Sequence, residues 1–183
     1  MVHALLFVIP TLILAVVSRR SLLLPRSHGF YRFFAWEAIL ALILMNGPIW
    51  FHDPFHWHQL ISWVLLILSL VPLVLGILWL RRRGMPRGDG RREPELLGFE
   101  RTTTLVSDGI FGLIRHPLYS SLLLLTWGVF FKEPSAEGGT LALAATILLV
   151  VTAKRDEAEC VRTFGAQYER YMQRTRMFIP HVL

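Results

Sequence analysis

The chain has 183 residues, more than half of them apolar, with 19 Lys and Arg against 13 Asp and Glu and a single cysteine, Cys160. That length supports one domain, the apolar excess excludes an ordinary soluble globule, and one thiol cannot build an internal disulfide framework or a thiolate metal cluster. The net charge of +6 points to membrane headgroups rather than nucleic acid, because the arginines gather at the ends of apolar runs.

Residues 1–17 form the first apolar run, which closes with Ser18-Arg19-Arg20. A signal peptide carries its charge before the apolar core, so charge placed after it predicts a first transmembrane helix, bent near Pro10. Residues 22–29 connect it to a second span at about 33–50, broken near its end by Asn46-Gly47-Pro48. Glu37 lies about a turn inside that span, where a carboxylate must pair or reach water. Snorkelling to the interface beside Arg32 is the expected solution, and bordering a substrate entrance is the alternative. The connection that follows holds His52, Asp53, His56 and His58, residue types that bind metals. Trp50, Phe55 and Trp57 stand among them as an interfacial aromatic belt, so no metal is expected. A third span at about 60–80 ends in Arg81-Arg82-Arg83, and residues 84–94, rich in Gly, Pro and Arg, read as a loop lying on anionic headgroups.

The stretch Gly109-Ile110-Phe111-Gly112-Leu113-Ile114-Arg115-His116-Pro117-Leu118-Tyr119 sets an Arg-His pair at the start of the next apolar run, 118–131. Proline lacks an N–H and has a fixed φ, which suits the first position of a helix, so His116 falls at or beside the N-cap. The unpaired N–H groups of that helix end, with Arg115 beside them, form a seat for a carboxylate or phosphate. A polar turn at 132–139 leads to a last apolar run at 140–153. Both of these runs are shorter than the roughly 20 residues of an untilted span, so they must recruit flanking residues, thin the bilayer or pack as a hairpin. The charged tail from Ala153 is amphipathic. Glu157, Cys160, Val161, Phe164 and Tyr168 share its inward face by three-and-four spacing, whereas Arg155, Asp156, Glu159 and Arg162 turn to the rim. Gly165 ends or bends this helix before residues 166–173 resume it, and Tyr168 and Tyr171 are placed to cover a pocket.

Thr104-Leu105-Val106-Ser107-Asp108-Gly109 followed by Arg115-His116-Pro117-Leu118-Tyr119, then Asp156-Glu157, Phe164-Gly165, Tyr168, Tyr171 and Pro180, resembles in order and spacing the integral-membrane methyltransferases that include isoprenylcysteine carboxyl methyltransferases and bacterial phospholipid methyltransferases. The resemblance covers residues 104–180 and implies that this half binds S-adenosylmethionine. Carried over residue by residue, it places Thr104, Leu105, Val106, Ser107, Phe111, His116, Leu118, Tyr119, Asp156 and Glu157 around that cofactor, and the anion seat at the helix start adds Arg115. Glu157, Lys154, Arg155 and Arg176 are the candidates for activating or orienting an acceptor. Three positions depart from the family pattern: Asp156 stands where the first of two glutamates is usual, Thr152 where the isoprenylcysteine enzymes carry an arginine, and Met177, preceded by Arg176, where an arginine often precedes the final Phe-Ile-Pro. The implied activity is methyl transfer to a small lipophilic or amphiphilic acceptor entering from the bilayer, which leaves amine, carboxylate and thiol open. A membrane reductase of the sterol-reductase type, using NADPH, and a non-enzymatic protein that keeps the fold are the alternatives.

The expected architecture is an all-α, polytopic membrane protein in one domain, 1–183. Three spans lie within 1–80, the methyltransferase-like half occupies 104–180, about five transmembrane helices are present in all, and a C-terminal amphipathic helix lies in the cytoplasm. If all five runs cross, every Lys and Arg except Lys132 falls on one side, which sets the N-terminus outside and the C-terminus in the cytoplasm. Cysteine-accessibility labelling tests this in a Cys160→Ser background: a single cysteine at Ser135 should label from outside and one at Gly88 from the cytoplasm. Labelling of both from the same side would contradict five crossings.

Overall fold

The computed structural model describes residues 2–84, Leu96 and 102–180, with side chains from residue 5 onward. Apart from Gly84, the loop read at 84–94 lies outside these residues. The fold is all-α. Helix α1 spans Val2–Val17, α2 Arg19–Leu22, α3 His28–Asn46, α4 Trp57–Arg83, α5 Pro117–Phe130, α6 Ala136–Phe164 and α7 Ala166–Arg174, with 3-10 turns at Gly47–Ile49 and Gly109–Gly112. Three stretches, His28–Ile49, Trp57–Arg83 and Ala136–Phe164, are long and apolar enough to cross a membrane; Leu5–Val17 and Pro117–Phe130 are shorter apolar helices. At 1.5 Å per residue the 14 residues of α5 reach only about 21 Å, against about 30 Å of hydrocarbon.

Two boundaries differ from the sequence reading. Helix α3 begins at His28, because the Ser27 hydroxyl accepts the Phe30 N–H at 3.3 Å and caps the first turn. Arg32 therefore sits inside the helix, 3% exposed, with its guanidinium 5.0 Å from the Trp36 ring. Glu37 accepts a 2.8 Å hydrogen bond from Thr11 of α1, a polar pin between two apolar helices. The second difference is α6, which runs unbroken for 29 residues. No proline or glycine lies between Gly139 and Gly165, so the last apolar run and the charged tail fuse into one rod of about 43 Å.

Helix α3 packs along α6, α4 along α5, and α5 against α6. Lipid gives apolar helices little reason to associate, so close approach of small residues must supply the attraction. Ala142, Ala145 and Ala153 of α6 are fully buried alongside Ala35 and Leu42 of α3. Between α4 and α5 the close points are glycines. A Cβ on Gly76 would stand 3.2 Å from Pro117 and Leu118, and one on Gly128 2.9 Å from Leu66. The outward faces of α1 and α4, for example Ile13, Val16, Val64 and Ile67, are more than half exposed and suit contact with acyl chains.

These antiparallel pairings bring the start of α3, the end of α4, the start of α5 and the end of α6 to one end of the bundle. At the other end Lys132 is 1% exposed. Its Nζ donates to Gln59 Oε1 at 3.0 Å and lies 3.4 Å from the Trp63 ring centroid and 5.2 Å from that of Trp50. Gln59 returns a bond to the Lys132 carbonyl at 3.1 Å, and Asn46 donates to Val129 O at 2.8 Å. The lysine of that end is thus held among aromatic faces, and burial pulls its ammonium below the ordinary lysine value.

Gly109 joins α4 to the lead of α5. Its φ of +58° belongs to the left-handed region, and a Cβ there would fall 2.1 Å from the Trp79 indole. Gly109→Ala should destabilise the protein by about 1–3 kcal/mol, read as a lower thermal midpoint in detergent. An unchanged midpoint would show that the Trp79 contact is not tight.

Candidate functional site

Pro117 opens α5, and His116 takes the N-cap position with φ −123° and ψ 62° without capping through its side chain. The strand-like residues before it meet the C-terminal segment. Arg115 N–H donates to Arg176 O at 2.8 Å and His116 N–H to Met177 O at 3.1 Å, around an isolated parallel bridge between Ile114 and Arg176. The Ser120 hydroxyl reaches Phe178 O at 2.9 Å. Tyr171 of α7 donates its hydroxyl to Phe111 O at 2.7 Å. The C-terminal residues are therefore strapped across the start of α5, with α7 beside it.

Arg115 holds these parts together. Its Nε donates to Glu157 Oε1 at 2.6 Å, and its Nη1 donates to the carbonyls of Met172, at 3.2 Å, and Thr175. His116 Nε2 lies 3.3 Å from the same Glu157 oxygen and Nδ1 3.6 Å from Asp156 Oδ2. The imidazole stacks on Tyr119 with centroids 5.4 Å apart. Buried charges survive only when paired, and here a guanidinium and an imidazole converge on one carboxylate. Burial, reinforced by Cys160 and the Asp156 and Glu157 carboxylates, pushes the Tyr168 phenol up; burial also raises Tyr171, against the opposing charge of Arg115. Both tyrosines are hydrogen-bond donors at neutral pH, not bases.

A void of about 90 Å³ lies between the start of α5, the end of α6 and α7. Among the sequence candidates Leu105, Val106, Phe111, Arg115, His116, Leu118, Tyr119 and Asp156 border it. Thr104 and Ser107 are exposed and do not, the Thr104 hydroxyl donating instead to Arg83 O at 2.9 Å. The acidic pair follows the helical wheel in burial, Glu157 being buried and Asp156 half-buried, but differs in which of the two meets the cavity. Asp156 borders the void, whereas Glu157 is buried but drawn aside by Arg115. Lys154, Arg155 and Arg176 are exposed and not brought to the cavity; Arg155 lies 5.8 Å from the Tyr31 ring, and Arg176 contributes backbone to the strap. Cys160, Phe164, Tyr168 and Tyr171 complete the wall, three of them legible from the inward spacing of the tail. Leu80, Leu96 and Thr102 also border it and carried no motif by which to be found.

At the opposite end, His52, Asp53, His56 and His58 border a second cavity, of about 240 Å³, with Gln59, Lys132 and Glu133. His52 pairs with Asp53 at 3.2 Å, both three-quarters exposed, and His58 meets Phe131 O at 3.1 Å.

No family model matches the chain, and no solved structure matches it. Curated relatives do. The chain is 32% identical over 75 residues to methanethiol S-methyltransferase 2 of Bradyrhizobium diazoefficiens, covering 40% of this chain and 27% of that protein. It is 29% identical over 92 residues to the methanethiol S-methyltransferase of Pseudomonas sp. strain GM41(2012), 49% of this chain and 32% of that protein. Each match spans less than a third of the relative's length.

Arg115→Lys removes the fork that binds carboxylate and carbonyls together. One lost charged hydrogen bond is worth roughly 1.5–3 kcal/mol, so local opening of the strap should rise about tenfold or more. Limited trypsin digestion should then cut faster after Arg170, Arg174 and Arg176; an unchanged rate would show that Arg115 does not secure the C-terminal segment.

Proposed function

We propose that the chain catalyses methyl transfer from S-adenosylmethionine to a small lipophilic acceptor, a hydrophobic thiol first among the classes, at the arginine-rich end of the bundle, which faces the cytoplasm. The observation that carries this reading is the convergence of groups at the site itself. A helix N-terminus, a cavity-facing carboxylate in Asp156 and buried aromatic rings from α5, α6 and α7 meet at one point. The relatives' names speak for methyl transfer over a reductase and for sulfur as the accepting atom.

The donor supplies an electrophilic sulfonium methyl that needs no metal. The α5 N-terminus suits its carboxylate, while Asp156 suits its ammonium or ribose hydroxyls. Arg115 acts on this site through Glu157 and the strap, since its Nε and Nη1 donors are engaged within the protein. Tyr168 and Tyr171, held neutral, contribute hydroxyls and ring faces. The accepting sulfur must be a thiolate, and an ordinary thiol has a pKa of about 8.5. His116, the titratable imidazole bordering the cavity, is placed to receive the thiol proton as the S–CH3 bond forms and the donor's C–S bond breaks. Apolar walls from Leu105, Val106 and Leu118 exclude water, which would compete as nucleophile. The void is smaller than the roughly 300–1,000 Å³ of most small-molecule sites, so loading requires α7 and the strap to shift outward.

Calorimetry in detergent tests the placement: His116→Ala and Tyr119→Ala should each weaken S-adenosylmethionine binding about tenfold with helix content retained. Methyl-labelled donor offered with short alkanethiols and with total membrane lipid should label the thiol. Unchanged affinity in both variants would overturn the site, and label confined to lipid headgroups would overturn the acceptor class.

A further inference from the structure

Near the mouth of the site, α6 presents three carboxylates within one turn, Asp156, Glu157 and Glu159. Glu157 is held by Arg115 and His116. Glu159, 4% exposed, receives both donors of one residue on another helix: the His28 backbone N–H at 3.0 Å and the His28 Nδ1 at 2.5 Å. His28 itself is 1% exposed. The charged groups facing its imidazole are Glu159 and Asp156 of α6 and, from its own helix, Arg32. His28 Nδ1 and one carboxylate oxygen each of Asp156 and Glu159 all lie within 4.8 Å of one another. Asp156 and Glu159 are three residues apart on a helix, so they share a face and repel when both are ionised.

Asp156 is the member of this trio that borders the cavity, and its charge is what recommends it for a cationic ligand. We propose that His28 is a positioning residue for the donor site: by engaging both oxygens of Glu159 it lets Asp156 stay ionised and directed into the cavity. This rests on the methyl-transfer reading only for the identity of the ligand. The geometry from the start of α3 to the end of α6 is independent of it. Loss of the imidazole leaves two neighbouring carboxylates sharing a proton, and such a pair titrates as a unit with one member held neutral. Asp156 then loses charge without being touched.

Two readouts test this in full-length protein in detergent. The first is calorimetric affinity for S-adenosylmethionine in His28→Ala, His28→Asn, and the double variant His28→Ala with Glu159→Gln. His28→Ala should lose about tenfold. His28→Asn, whose amide can replace the Nδ1 donor, should keep most of the affinity, and the double variant should recover it, because the neutral amide that replaces the Glu159 carboxylate does not compete with Asp156 for ionisation. A merely structural role predicts the reverse, with the double variant worse than the single. The second readout needs no ligand. Cys160 is the chain's single thiol and donates to Asp156 Oδ1 at 3.9 Å, beside a carboxylate that also faces His116 at 3.6 Å; His116, Tyr168 and Tyr171 are unaltered in every variant, so a change in the pH profile of its methanethiosulfonate modification reports a change in the charge on Asp156. The profile should move to lower pH in His28→Ala and return in the double variant. An unmoved profile, or a double variant no better than the single, would overturn the proposal. Absence of cofactor binding in the unaltered protein, with the thiol profile behaving as stated, would overturn the methyl-transfer reading and leave the role of His28 standing.

Discussion

The Arg115 guanidinium and its bonds to Glu157 and the Met172 and Thr175 carbonyls are the constraint on which the arginine-rich end depends. Helix α5 begins there, α6 passes through, α7 ends there and the strap departs from there. Each element is short or charged at this point and could not bury itself on apolar contact alone. A planar fork of donors satisfies a carboxylate and two carbonyls at once, so one side chain sets the spacing between helices that share little other surface. With this junction fixed, His116 lies against Tyr119, Tyr171 reaches Phe111, and a small void is left among them. Removal of the fork leaves Glu157 buried beside His116 alone, which is the costly half of a broken ion pair.

The two ends of the bundle handle charge in opposite ways. At the far end a single lysine is withdrawn between two indoles and an amide, which ties the α5–α6 turn to α4. At the near end basic and acidic side chains alternate through space from Arg115 to Glu157, His116 and Asp156, with His28 and Glu159 behind them. The first arrangement is a lock. The second leaves a carboxylate at a cavity wall, which is how a protein prepares to receive a cation.

Much of the fold was legible because its signals were local. Pro117 marked a helix start, Gly165 a helix end, and the arginine runs marked the ends of spans. The second span was read from about 33, where the apolar run begins, but the Ser27 cap starts α3 at His28. The fusion of the last span with the tail was missed because hydropathy falls at Ala153, although hydrogen bonding does not. At the site, spacing placed Cys160, Phe164 and Tyr168 on the inward face together with Glu157, which is buried, but it did not show that half-buried Asp156 would be the carboxylate at the cavity. A helical wheel cannot see Arg115, 42 residues away in sequence, pulling one carboxylate aside. Lys154, Arg155 and Arg176 were named for their charge; the inward spacing already set Arg155 at the rim, and Arg176 lies beyond α7 in the strap, its backbone bonded to Arg115 and Leu113.

Methyl transfer at the arginine-rich end requires S-adenosylmethionine to bind there and not at the opposite cavity. Ultraviolet cross-linking of radiolabelled S-adenosylmethionine, followed by peptide mapping, discriminates between the two cavities directly. The label should fall on peptides containing Phe111, Tyr119, Tyr168 or Tyr171. Label on the peptides of His52 to His58 and Lys132, at the opposite end, would contradict it.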